Sequence, residues 1–515
     1  MPAFARALSE ADSSAVALRD PLHAYTWGEV DQTLNRVANH LLTYDLGAKR
    51  RIAVFAENAG ETALAHLGGL LGSCSTVPVN FHLTAAETAY IVADSESRVL
   101  FCGPETLDRA VAAASQVKTE TGIAVEVIAW RCAESDAVTE WTAWLTGGSP
   151  EDPPTDVTPR PNLLYTSGTT GLPKGTELPP TMFAGGDTMA EHLEGLKKNR
   201  FADYGTHLVV GPMYHTGPLS GMRLLVAGTP SVITAKFDPE NTLRVIHEYK
   251  TESSVMVPTH FVRMLALPDE VKARYDVSSM KLIAHTGAKC PIDVKRQMIE
   301  WFGPVFSDNY GASEVGTTCS INSEEWLAHP GSVGRCLAPF SPLVVDDDNN
   351  ELPPNTEGRL FFRDSTGRGI VYPNDPVKSA AAHISPGVFT LGEMGYVDGE
   401  GYVYITDRFS DMVVSGGVNL YPAESEQVLI HHPAVLDVAC IGVPHAEMGE
   451  ELKALVILKD PSVEPDPAEI IGFCRERLST YKCPRSVEFV NDLGRNTMGK
   501  INKRTLRAPY WEGHS

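Results

Sequence analysis

The sequence predicts an α/β protein with a large N-terminal domain of α/β sheet subdomains plus a β-rich subdomain, followed by a small α+β C-terminal domain. Three observations predict it. Between residues 51 and 130, short apolar runs alternate with helical patterns, the rhythm of a largely parallel sheet. From Gly331 the texture changes to short β-segments separated by turns. Beyond Arg408 a final stretch of roughly 100 residues carries helices and strands of its own, enough for a separate domain. Domains are accordingly expected at 1–408 and 409–515, since a chain of 515 residues exceeds the size at which a single core stops growing.

Taken in order, a helix begins at Thr26, where Val30, Leu34, Val37 and Leu41 recur on one face and Thr26 with Glu29 spells a capping box. Strands follow at 51–55, 76–79, 99–102 and 125–130, with helices near 61–71 and 85–92 between them. A Pro/Asp/Thr linker at 150–161 leads to the apolar strand end Leu163, Leu164, Tyr165. Strands are then expected at 207–210, 231–234, 254–257 and 281–285, with an apolar helix around 219–227. The acidic run from Asp346 to Glu351 puts Glu351 where a calcium-binding EF-hand loop needs glycine, so it reads as a β-turn. In the last domain, helices are expected at 423–430 and 468–478, and strands at 435–443, 455–458 and 487–490.

Composition narrows the function. A formal charge of -22 opposes nucleic-acid binding, so any phosphate site must be built locally. No apolar run reaches the roughly 18 residues that span a bilayer, and the N-terminus lacks a secretory core, so a cytoplasmic location is expected. The nine cysteines show neither C-x-x-C nor zinc spacing and read as reduced thiols.

The most unusual segment is LLYTSGTTGLPKGTE at 163–177. Its glycines let backbone approach a ligand closely, and Thr166, Ser167, Thr169, Thr170 and Lys174 add donors, a composition suited to cradling a polyphosphate. The spacing is not that of the G-x4-G-K-[ST] loop, which makes a standard P-loop fold a poor reading. The acid at Glu177, close to Lys174, has no evident purpose in a phosphate site.

From about Thr26 to Trp511 the chain resembles the adenylate-forming superfamily of acyl- and aryl-CoA synthetases. YTSGTTGLPKG, PMYHTG, HTGAKCP, NYGASE, FTLGEMGYVD, ITDRFSDMVVSGGVNLYP and NTMGKINKR resemble that family's motifs and occur in its order. The resemblance implies two half-reactions: a carboxylic acid and ATP give an acyl-adenylate and pyrophosphate, and an acceptor, CoA, then displaces AMP. It implies Thr166, Ser167, Gly168, Thr169, Thr170, Gly171 and Lys174 as the phosphate cradle, and Glu314 with Thr166 as Mg²⁺ ligands. Gly287, Ala288, Asn309, Tyr310, Gly311 and Ser313 would surround the adenine, with Glu393 on the ribose and Arg408 on the ribose or a phosphate. Glu393 departs from the usual aspartate by one methylene, and Ser410 replaces a charged hinge residue. Lys500 is implied as the catalytic lysine, carried into the site by a mobile C-terminal domain. His215 would gate or position substrate; Met213, His215, Thr259, His260 and Gly311 would line the acyl pocket, His260 hinting at an aromatic or hydrogen-bonding acid. Gly416 and Gly417 would open a channel for the acceptor.

Three other readings compete. An amide bond synthetase would hand the same adenylate to an amine, which the departures at Glu393 and Ser410 and the unusual GTELPP keep open. A serine hydrolase using Ser313 fails because GASEV does not spell G-x-S-x-G. A non-catalytic nucleotide-binding protein remains if Glu393 blocks turnover.

Overall fold

The computed structural model describes residues 12–512, except 13, 167–173, 180–181, 184, 373–375, 409–410, 412, 416–417, 421, 446–447, 479 and 496–500; the side chains of 166, 174, 378, 407, 408, 414, 418, 419, 449 and 481 are likewise outside the description. The architecture is mixed α/β, with a large N-terminal part and a small C-terminal one.

The first sheet has the order Ser75–Val79, Arg51–Phe55, Val99–Cys102, Glu126–Ala129, Thr139–Glu140, all parallel. Such a sheet is buried on both faces, which is why Arg51–Phe55 and Ser75–Val79 are buried at every position. The helix Gly60–Leu71 is also buried all round. It lies so close to the preceding helix, Trp27–Thr43, that a Cβ on Gly68 would sit 2.4 Å from Val37. The predicted capping box opens that preceding helix: Glu29 N–H donates to Thr26 Oγ1 (3.3 Å), and Thr26 N–H to Glu29 Oε2 (2.8 Å).

A nine-stranded sheet forms the centre. Its parallel strands include Ser231–Ile233, His207–Val209, Ser253–Met256, Leu282–His285 and Phe306–Ala312. The last of these turns back antiparallel on Gly316–Asn322. The N-terminal strands Val16–Arg19 and Ala24–Thr26 complete the far edge, an addition that the sequence pattern does not reveal because both are short. The β-rich segment is a separate sheet built from Phe340–Val345, Gly358–Asp364, His383–Ser385, Val388–Phe389, Glu393–Val397 and Val403–Arg408. Its 346–351 turn is tied by Asp346, whose carboxylate accepts from the N–H groups of Asp348 (3.0 Å) and Asn350 (2.8 Å).

The C-terminal unit centres on the long hairpin Val435–His445 and Gly449–Leu458, flanked by the helices Pro422–Leu429 and Pro467–Arg475. The second hairpin strand starts well before the predicted 455. Its first turns are acidic, yet Arg507 reaches Glu450 (3.2 Å) and Ser486 reaches Glu451 (2.8 Å), so charge does not exclude these residues from the sheet.

Candidate functional site

The glycine-rich segment is the connection of a two-stranded hairpin, Leu163–Thr166 against Lys174–Glu177. Tyr165 anchors the first strand by donating its hydroxyl to Asp94 (2.6 Å). Glu177 is not part of a phosphate site. It pairs with Arg51 (3.1 Å), whose side chain is 8% exposed, and so pins the hairpin to the first sheet. Ser167, Gly168, Thr169, Thr170 and Gly171 lie outside the described residues, as do the side chains of Thr166 and Lys174.

A cavity of about 310 Å³ opens at the carboxyl ends of Leu282–His285 and Phe306–Ala312. Parallel sheets present their ligand crevices at such strand ends. Gly287 and Ala288 follow the first strand; Gly287 takes φ +91, a left-handed turn open to glycine. Asn309, Tyr310 and Gly311 supply the second wall. Strand pairing is irregular between Tyr310 and Gly311, and a Cβ on Gly311 would fall 1.9 Å from the Gly316 carbonyl oxygen, so this tight hairpin excludes any larger residue.

Glu393 enters the cavity from the β-rich sheet, with Arg408 as its cross-strand partner. Its Oε2 accepts the Tyr310 hydroxyl (2.8 Å). The extra methylene relative to aspartate therefore carries the carboxylate as far as the tyrosine. Asn309 is held from behind: its Oδ1 accepts from Arg200 (3.1 Å) and from Ser320 (2.9 Å).

Beneath this wall lies a buried ionic cluster that the sequence pattern does not flag. Lys295, 1% exposed, donates to Asp308 (2.9 Å) and sits 4.7 Å over the Trp326 ring. Burial pulls the Lys295 ammonium below its ordinary range, while Asp308 opposes the shift. The lysine lies within an amphipathic helix, Ile292–Phe302, where a single cation ordinarily reads as surface charge.

Glu314 follows the second strand. Its Oε1 accepts the Tyr372 hydroxyl (3.1 Å), while Arg368 bonds only its backbone carbonyl (3.3 Å). Among the described residues no cationic side chain pairs with the Glu314 carboxylate, so the group suits a Mg²⁺ held by one carboxylate and substrate phosphates. Ser313 is 3.3 Å from the Thr216 hydroxyl, a pairing of two hydroxyls that does not activate a nucleophile.

His215 occupies the N-cap of the helix Thr216–Met222, its ring 4.2 Å from that of Tyr214. Met213 is 1% exposed and its N–H donates to Asn58 (2.8 Å). Asn58 also donates to the carbonyls of Gly211 (2.9 Å) and Thr234 (3.1 Å), so this one amide fixes the turn carrying His215. His260 is 5% exposed. It stacks on Phe237 (4.0 Å) and accepts from the Val257 N–H (3.5 Å) at the start of the helix Pro258–Leu265, on which Thr259 also lies. Burial drives its pKa down to about 3, and neither Thr259 nor His260 lines the cavity.

The C-terminal unit closes the cavity with Ala423, Glu426, Arg495, Ile501 and Lys503. Arg495 is fixed by Asp437 (2.5 Å) and Lys503 by Glu426 (2.9 Å). Lys500, Gly416, Gly417 and Ser410 lie outside the described residues, as does the Arg408 side chain.

The AMP-binding enzyme family model matches residues 4–369, and that of the AMP-binding enzyme C-terminal domain matches 424–500. A feruloyl-CoA synthase of Amycolatopsis sp is 30% identical over 506 residues, covering 96% of each chain. Indoleacetate–CoA ligase of Aromatoleum aromaticum is 28% identical over 506 residues, covering 95% of this chain and 94% of that one. Among solved structures, ATP-bound MatB from Rhodopseudomonas palustris superposes with a TM-score of 0.79 at 28% identity, covering 99% of this chain and 100% of the other. The amide bond synthetase McbA from Marinactinospora thermotolerans shares the fold, with a TM-score of 0.78 at 24% identity and 99% of each chain covered.

Proposed function

The chain belongs to the AMP-binding enzyme family, and on that premise we propose that it is an AMP-forming acid–CoA ligase. A carboxylic acid attacks the α-phosphate of ATP, pyrophosphate leaves, and the thiol of CoA then displaces AMP from the acyl-adenylate to give a thioester. One observation supports this reading above the others. A single cavity is bounded on one side by Gly287, Ala288, Tyr310 and Glu393, and on the other by Arg495 and Ile501, which flank position 500.

In this reading adenine stacks on Tyr310 beside Gly287 and Ala288, and Glu393 with Arg408 takes the ribose hydroxyls. The hairpin loop, with Thr166, Ser167, Gly168, Thr169, Thr170, Gly171 and Lys174, holds the leaving pyrophosphate. Mg²⁺, on Glu314 and Thr166, would neutralise phosphate charge. Lys500 bridges the carboxylate and the α-phosphate as charge builds there. Residues 409–515 act as the mobile domain, moving Lys500 away for the second half-reaction while Gly416 and Gly417 admit the thiol arm. His215 and Gly311 face the acyl group, with Met213 setting the base of their turn. A cytoplasmic location fits nine cysteines that form no disulfide, and no described helix is long and apolar enough to cross a membrane.

Exchange of pyrophosphate into ATP, screened over fatty and aromatic acids, tests adenylation. Lys500→Ala should depress it by about 10²–10³-fold, the loss typical of a group that stabilises transition-state charge. Exchange that survives the substitution refutes the role of Lys500. Adding CoA or simple amines then assigns the acceptor, and amide without thioester would favour the amide-forming alternative.

A further inference from the structure

A second, small cavity lies about the junction of the two N-terminal sheets, where the helix Gly60–Leu71 and the strand Ser75–Val79 meet the residues leading into the glycine-rich hairpin and the end of the helix Thr216–Met222. The centre of a small occupant has about 10 Å³ in which to sit, room for a single small ion or molecule. His66, Thr76, Arg160, Asn162 and Arg223 supply its polar lining.

The hydrogen-bond directions here can be worked out. A guanidinium only donates, so the Arg223 Nη2 bond to Asn162 fixes the amide oxygen of Asn162 towards Arg223. The Asn162 nitrogen must then donate to the Thr76 hydroxyl oxygen. With that oxygen accepting, the Thr76 proton is free for His66 Nδ1, 3.1 Å away. The His66 ring is neutral because burial pulls its pKa to about 3, and in the tautomer whose Nδ1 accepts from Thr76 its hydrogen is on Nε2. Beyond this relay the cations of the lining, Arg223 and Arg160, offer only N–H donors.

Charge reinforces this. Arg223 is 4% exposed, and its remaining bond is to the Met182 carbonyl (3.4 Å); among the described residues no carboxylate pairs with it. The buried Nε of Arg160 has no hydrogen-bond partner among the described residues. A buried cation without a counter-charge is strongly unfavourable. A water molecule would accept from these donors but bring no counter-charge to the buried guanidinium. We propose that the cavity binds a monatomic anion, a halide such as chloride, held by Arg223, Arg160 and His66, and that the ion ties the two N-terminal sheets together at the root of the hairpin. The site is independent of the nucleotide cavity and too small for an organic acid.

Bromide is the probe. Crystals of the full chain grown with gluconate as the only anion and soaked in sodium bromide should show an anomalous peak at the bromine edge between Arg223, Arg160 and His66. A map with bromide at surface sites and none here overturns the proposal. In solution, the melting temperature should rise and saturate with millimolar chloride or bromide, but not with gluconate at equal ionic strength. Equal responses to the two salts would also overturn it. Arg223→Met, where it folds, should abolish the halide-specific rise; where it does not, the wild-type measurements decide alone.

Discussion

Lowering the pH from 7 to 5.5 should destabilise the folded chain by roughly 6 kcal/mol. His66, His192, His207, His260 and His285 are each no more than 5% exposed. Burial pulls them far below the ordinary 6.5, to about 3 for His66 and His260 and about 4 for the other three. All five are neutral in the folded chain and take up protons near pH 6.5 only after unfolding. Between about pH 4 and 6.5 the unfolded chain therefore binds more protons, so stability is present above 6.5 and drains away as the pH falls. Each histidine contributes about 1.2 kcal/mol between pH 7 and 5.5, and five of them approach the whole stability of a typical domain. The window lies above the range where carboxylates titrate, which isolates the histidine effect. Urea midpoints followed by tryptophan fluorescence at constant ionic strength should give a slope at pH 5.5 of about four to five protons. His260→Gln keeps an acceptor at the helix start and should lower that uptake by about one proton. A midpoint that is flat between pH 6.5 and 5.5, or a slope that His260→Gln leaves unchanged, would refute the reasoning.

Tyr310→Phe removes the hydroxyl that Glu393 accepts and should raise the KM for ATP by about three- to tenfold in pyrophosphate exchange; an unchanged KM would show that Glu393 needs no such support. Lys295→Met leaves Asp308 without its buried cation and should cost about 3 kcal/mol in urea unfolding, most of it recovered on adding Asp308→Asn. Equal losses in the single and double variants would mean the two residues are not coupled. Glu177→Gln removes the charge facing the nearly buried Arg51 and should lower stability by about 1 kcal/mol, seen as a fall of roughly 2–4 °C in Tm. No shift would mean the pair is a solvent-screened contact.

The parts of the fold that were legible in the sequence are those whose pattern is local. The strand Arg51–Phe55 is an apolar run, and Thr26 with Glu29 spells the cap of the helix Trp27–Thr43 within four residues. The walls of the larger cavity were legible because Gly287, Tyr310, Gly311 and Glu393 sit in motif segments, and the structure brings them together around one space. What the sequence hid depends on partners far along the chain. Glu177 was unexplained because Arg51 lies 126 positions away. The burial of Lys295 leaves no local mark because Asp308 and Trp326, which make it tolerable, belong to other elements. The stacking of His260 on Phe237 was equally hidden, because the two rings belong to different segments of the chain.

Asn58 has a further consequence for protein engineering. Its side chain joins Gly211, Met213 and Thr234, so the first sheet and the His215 turn share one amide across more than 150 positions of sequence. Transplanting residues 1–150 between homologues would cut that connection unless the incoming piece offers an asparagine at the same place and the recipient a matching 211–234 segment. The practical seam for a chimaera is thus not the Pro-rich linker, where the chain looks easiest to cut. It must be chosen so that position 58 and the turn it holds come from the same parent.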